Sequence, residues 1–267
     1  MPRSPEYNPE AMSAIIDEGK LSQEKIAELT NTGKPIIEGS GLVEIDKEIG
    51  PEEVERAREL FESLLPVDKD NRRLQAHMQL TAMFTRRIAE KLHMNPNELE
   101  ALAWLHDIGR TITHRLFRND LLGDLLLKKM GIREDFLKKM RPLADYLGPA
   151  ATRKVRTIDD ISPEERVLQI ADFAGKRNAV GEIASFDEML EYHRQSRKRY
   201  EDVTGLKQVW PSELYASRHM MPGEDDPGII EGGAKIYEGI RDWLKEQGVD
   251  IEELRQEFIK EEVNEKL

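Results

Sequence analysis

Leu74, Met78, Thr81, Phe84, Ile88 and Leu92 recur at steps of three or four, the spacing of one helix face, and predict a helix over 70–93. A second helix starts near Asn97, with Glu98 and Glu100 in its first turn. Its inner stripe is Leu99, Leu102, Ala103, Leu105 and His106, and Gly109 ends or bends it. An apolar helix over 121–130 and an amphipathic one over 132–147 follow, the latter stopped by Gly148-Pro149. Ser162-Pro163-Glu164-Glu165 is a helix start of cap, proline and acids, followed by inward Val167, Leu168, Ile170, Ala171, Ala174 and Gly175. Residues 186–200, 229–247 and 250–265 also read as helices. Residues 201–228 are irregular around Trp210-Pro211, Pro222-Gly223 and Pro227-Gly228, as a lid or, preferably, a surface connection. Towards the N-terminus, Ser22 caps a short helix through Leu29, and turns lie at Gly33, Pro35, Gly39 and Gly41. Pro51-Glu52-Glu53 opens a helix that stops at Pro66. The pattern predicts an all-α chain: an N-terminal helical extension over 1–66, a main bundle over 67–200, and a loop with a helical extension over 201–267.

Composition narrows the class. With 267 residues, 39% hydrophobic and 34% charged, the chain is expected to be globular and to bury a sizeable core. It has no cysteine, which excludes disulfides, thiolate nucleophiles and cysteine zinc sites. A net charge of −12 argues against broad nucleic-acid binding, because phosphate backbones would be repelled. No apolar run reaches the roughly 18 residues of a membrane span, and Met1-Pro2-Arg3-Ser4-Pro5-Glu6 lacks a signal-peptide core. A cytoplasmic protein without membrane attachment is the expectation.

Charge then draws attention to three inward places. His77 lies on the apolar face of its helix. His106 and Asp107 sit side by side where the next helix ends. Asp172 lies among the inward residues of the helix opened by Ser162, where a carboxylate is costly unless paired or bound to metal. Imidazole nitrogen and carboxylate oxygen are ordinary ligands of divalent ions. An inward histidine more often simply finds a hydrogen-bond partner, and a His-Asp dipeptide is common by chance. The spacing adds weight: His77, then Leu105-His106-Asp107-Ile108-Gly109-Arg110 beginning 28 residues on, then Ala171-Asp172, with 65 residues from Asp107 to Asp172. This pattern resembles the HD-domain superfamily of metal-dependent phosphohydrolases, in its HDIG-like branch, over roughly residues 70–180. The resemblance implies a helical-bundle HD domain over 67–200, with His77, His106, Asp107 and Asp172 as metal ligands.

Departures from that branch shape the expectation. Where it often carries two further histidines, this chain has Asn119, four before Gly123, and Tyr146 in Tyr146-Leu147-Gly148. One divalent ion is therefore expected rather than two, with Mn, Mg, Co, Ni, Fe and Zn not distinguished. His114 is a spare imidazole that borders the pocket or caps a turn. The Gly-Tyr-Pro segment of the cyclic-di-GMP phosphodiesterase branch is absent, as is the Glu-Asp pair that follows His-Asp in alarmone hydrolases. Arg110 stands where the 5′-nucleotidase branch tends to carry an acid. Arg110, Arg115 and Arg118 form a basic run without an acid from Ile108 to Arg118, which reads either as a phosphate clamp or as a solvated turn. Arg73 and Lys176, each one helical turn from an expected ligand, are further phosphate contacts. The expected activity is cleavage of a nucleotide or other small phosphate ester by metal-activated water, with Asp107 the leading candidate for general acid. The alternative is a non-catalytic metal- or nucleotide-binding module with a regulatory role. The terminal helices serve packing or self-association.

Overall fold

The computed structural model describes residues 37–65, 69–111, 116–140, 158–178, 181–192, 194–195 and 228–265. These form helix α1 (Pro51–Leu64), α2 (Lys69–Lys91), α3 (Pro96–Leu105), α4 (Leu116–Lys129), α5 (Glu134–Met140), α6 (Pro163–Ala174), α7 (Gly228–Glu246) and α8 (Ile251–Glu265). Short 3-10 turns occupy Ile108–Thr111 and Ile158–Asp160, and residues 186–192 are helical. Apart from one isolated antiparallel bridge, Arg177 with Ile183, no strand occurs among the described residues. The fold is all-α, as the periodicity predicts.

Helix starts follow from side chains that satisfy the first backbone N–H groups. The Asn95 side chain accepts from Asn97 N at 3.1 Å and Glu98 N at 3.2 Å, and Pro96 takes the first helical position of α3. Ser162 Oγ accepts from Glu165 N at 3.3 Å while Glu165 accepts from Ser162 N at 3.1 Å, the reciprocal cap expected of α6. At α1 the Glu53 carboxylate does more. It accepts from Gly50 N at 2.9 Å and from Gly41 N at 3.2 Å, so it closes the loop before the helix as well as capping it. Arg133 holds that loop from the other side, its Nη1 donating to the carbonyls of Gly41, Glu44 and Lys47 at 2.9–3.2 Å.

Two boundaries differ from expectation. Helix α3 ends at Leu105, four residues before Gly109, because the chain tightens there into the 3-10 turn Ile108–Thr111. Helix α4 begins at Leu116 rather than 121, as no proline or glycine interrupts Leu116 to Leu121. The expected helix at Ser22–Leu29, the end of 132–147 and the loop 201–227 lie outside the described residues.

Helix α3 is buried on every side from Ala101 to Leu105, which explains why its stretch is apolar all round. It packs between α1 and α2, and Phe61 of α1 meets Trp104 at 6.1 Å between ring centroids. Helix α2 packs on its other side against α6. The terminal helices cover these two. Tyr237 of α7 stacks on Phe173 of α6 at 4.1 Å, and Arg166 of α6 lies 5.0 Å from the ring of Trp243. Phe258 of α8 meets Phe84 of α2 at 4.7 Å, with Arg87 and Glu261 paired at 3.2 Å beside them. One contiguous core runs from Ile37 to Phe258, so the extensions share the core of the bundle. No helix among the described residues is long and apolar enough to cross a membrane.

Candidate metal centre

Three elements meet at one point, and each presents a residue singled out by the sequence. Helix α2 presents His77, the corner after α3 presents His106 and Asp107, and α6 presents Asp172. His77 Nε2 lies 3.1 Å from Asp172 Oδ1 and 3.6 Å from Asp107 Oδ2. His106 Nε2 lies 3.3 Å from Asp172 Oδ1 and 3.7 Å from Asp107 Oδ2. The two imidazoles stand edge to face with centroids 5.6 Å apart. Side-chain exposure is 10% for His77, 3% for His106, 15% for Asp107 and 25% for Asp172, so the cluster is sunk but open on the Asp172 side.

The tautomers follow from the partners. His77 Nδ1 lies 2.7 Å from the Gly175 carbonyl, and His106 Nδ1 lies 2.7 Å from the Ala103 carbonyl. A carbonyl only accepts, so Nδ1 donates in both rings and Nε2 of the neutral ring carries the lone pair. Both Nε2 atoms are buried and without a hydrogen bond. The neighbouring carboxylate oxygens also only accept, so they cannot satisfy a neutral Nε2. Buried polar atoms are normally satisfied, and two orphans aimed at one point between carboxylates mark a place for a cation. Ligand atoms of His77, His106 and Asp107 all lie within 4.8 Å of one another and can hold a metal ion, and Asp172 touches both imidazoles from the other side.

Electrostatics agree with that reading. Burial lowers the pKa of His77, but the Asp107 and Asp172 carboxylates outweigh it and raise it to about 9. Burial raises the carboxyl of Asp107, while Arg110, His106 and His77 outweigh it and hold the group below the usual carboxylate range. Asp172 is likewise held well below that range, burial being outweighed by Lys176 and the two histidines. Without metal, the pocket therefore draws a proton onto His77. Asp107 stays ionised near neutral pH, which suits a ligand.

The backbone supports this geometry by close approach. A Cβ on Gly123 would meet Gly109 N at 3.1 Å, so α4 presses directly on the corner that carries Asp107. A Cβ on Gly175 would meet Thr81 Oγ1 at 2.4 Å and Thr81 N at 2.8 Å, so the end of α6 touches α2 one turn beyond His77. Gly175 and Ala103, which orient the imidazoles through their carbonyls, were not among the expected site residues. A backbone acceptor leaves no mark in the sequence, although a glycine immediately after an inward helix hints at such an approach.

The expected phosphate contacts divide. Arg110 Nη1 donates to Asp107 Oδ2 at 2.6 Å, so this arginine is engaged with an expected ligand. Lys176 Nζ lies 3.9 Å from Asp172 Oδ2. Arg73 is exposed on α2 and has no hydrogen bond or ion pair to the cluster among the described residues. Arg115, His114 and Tyr146, and the side chains of Arg118 and Asn119, lie outside what is described.

Comparison with known proteins gives one match. The HD domain family matches residues 74–173, which hold His77, His106, Asp107 and Asp172. No curated protein and no solved structure matches the chain. The matched segment begins in α2 and ends in α6, the two helices that bracket the cluster. Residues 74–173 of this chain match the HD domain family, and that segment is an HD domain.

Proposed function

We propose that the protein is a metal-dependent phosphohydrolase acting on a nucleotide or another small phosphate ester. The observation that carries this reading is the pair of buried, orphaned Nε2 atoms facing two carboxylates inside an HD domain. His77, His106, Asp107 and Asp172 would hold one divalent ion. When bound, that ion supplies a water of lowered pKa and a Lewis-acid contact to a phosphoryl oxygen. The protein's own groups do the rest. The Gly175 and Ala103 carbonyls fix both imidazoles in the ligating tautomer. Arg110 and Lys176, 35% and 36% exposed, stand beside one carboxylate each and give an entering phosphate two cationic neighbours. Arg73 is too exposed to serve as more than an outer contact. The buried floor of α3 and α6 keeps bulk water from the imidazole side of the site.

The test is a screen of phosphate release from nucleotides and simple phosphate esters, with the protein stripped and then reloaded with Mn²⁺, Mg²⁺, Co²⁺ or Ni²⁺. Turnover that appears with metal and disappears in His106→Ala supports the reading. Metal binding without turnover on any substrate in a folded sample favours the non-catalytic module instead.

A further inference from the structure

Arg110 is three residues after Asp107 on the 3-10 turn, and its position there is tightly determined. Its backbone N donates to the Asp107 carbonyl at 2.9 Å, and its Nη1 donates to Asp107 Oδ2 at 2.6 Å. Gly109, between them, lies against Gly123 of α4 so closely that not even a Cβ fits without adjustment. The oxygen that Arg110 grips is the one that faces both imidazoles, at 3.6 and 3.7 Å. A carboxylate oxygen has two lone pairs, so a donor on one leaves the other for a cation. Among the described residues no other side chain donates a hydrogen bond of good geometry to Asp107. The contrast with Lys176 is plain: its ammonium stands 3.9 Å from Asp172, too far to fix that carboxylate's direction.

We propose that Arg110 is a positioning residue for Asp107: its guanidinium grips Oδ2 and holds the carboxylate so that its remaining lone pair faces the two imidazoles. This rests on the metal-site reading above. It also gives Arg110 a purpose that does not depend on what the substrate is. An arginine suits the task because its planar donors hold direction, whereas an ammonium fixes only a charge.

The sign of one measurement separates positioning from simple charge. Removing a cation near a metal site, by electrostatics alone, should tighten metal binding. Removing the group that aims a ligand should weaken it, on the order of 10- to 100-fold for outer partners of metal ligands. The experiment is a titration of the metal-stripped full-length protein with Mn²⁺, followed by calorimetry, for the wild type, Arg110→Gln, Arg110→Lys and Lys176→Gln. Circular dichroism melts of the same samples confirm folding, which a side chain 35% exposed should not govern. Arg110→Gln is expected to bind Mn²⁺ at least tenfold more weakly, Arg110→Lys to fall between it and the wild type, and Lys176→Gln to bind no more weakly than the wild type. Equal or tighter binding by Arg110→Gln would overturn the positioning role. Failure of the wild type itself to bind any Mn²⁺ would instead overturn the metal site beneath it.

Discussion

Gly175→Ala replaces one hydrogen by a methyl group at the end of α6 and should disturb the site 98 residues earlier in the chain. The φ of Gly175 is −72°, on the side that alanine adopts, so the chief obstacle is space. The new Cβ would stand 2.4 Å from Thr81 Oγ1, 2.8 Å from Thr81 N and 2.9 Å from Ala171 O. Ordinary contact begins at 3.4 Å, so the end of α6 must part from α2 by about 0.6 Å to clear Thr81 N. The Thr81 hydroxyl can rotate away, but the two backbone atoms cannot. That separation lengthens the 2.7 Å hydrogen bond from His77 Nδ1 to the Gly175 carbonyl to about 3.3 Å, just past the usual range, and weakens it. Overpacking of this kind costs about 1–3 kcal/mol. Loss of a bond that orients a ligating imidazole typically costs about 10- to 100-fold in metal affinity. The assay is urea denaturation of the metal-free variant together with Mn²⁺ titration. Adding Thr81→Ala should restore only part of both losses, because the contact with Thr81 N remains. The matching control is Gly239→Ala in α7, whose Cβ would meet Ile158 at an ordinary 3.6–3.9 Å and should raise stability by up to about 1 kcal/mol. Wild-type stability and metal affinity in Gly175→Ala would refute the reasoning.

Further outcomes are as specific. Metal must displace the proton that the carboxylates draw onto His77, whose pKa is raised to about 9, so metal affinity should climb as pH rises towards 9 and titration in weak buffer should release protons. In the metal-free protein the same raised pKa contributes stability that is full below the ordinary value of 6.5 and lost as pH rises through about 9, a trend that melts at a series of pH values would reveal. Glu53→Ala leaves two N–H groups, Gly41 and Gly50, without their acceptor at a site 4% exposed, and should cost about 1–3 kcal/mol in urea denaturation. Burial raises the Glu53 carboxyl, but bonds from the Gly50 and Gly41 backbone lower it overall, so its contribution is present above the ordinary 4.5 and should fade as pH falls below that value. Lys176→Ala should raise KM for a phosphate ester more than it lowers kcat, with metal affinity not weakened, whereas a lower kcat at unchanged KM would remove it from substrate binding.

Much of this architecture was legible because local chemistry and long-range packing agree. Ser162, Pro163 and Glu165 announce the start of α6, and the structure caps it with those residues. His77 and Asp172 stand out because each interrupts an apolar face, a place where a polar group needs a reason. The match to Leu105-His106-Asp107-Ile108-Gly109 then ties them to one corner. What could not be read is what depends on direction rather than on residue type. The sequence places Arg110 near the site but does not say that its guanidinium turns back onto Asp107, since that depends on the 3-10 turn after α3. The carbonyls of Gly175 and Ala103 carry no side-chain signature at all. The helices near the C-terminus read as amphipathic, but nothing in their sequence says that α7 covers α6 and α8 covers α2.

The central claim, that His77, His106, Asp107 and Asp172 hold one divalent ion, is tested most directly by crystallography of the Mn²⁺-loaded protein at the manganese absorption edge. One anomalous peak is expected, about 2.0–2.3 Å from both Nε2 atoms and from an oxygen of each aspartate. Density elsewhere in the molecule, or none while both Nε2 atoms stay unligated at saturating Mn²⁺, would contradict it.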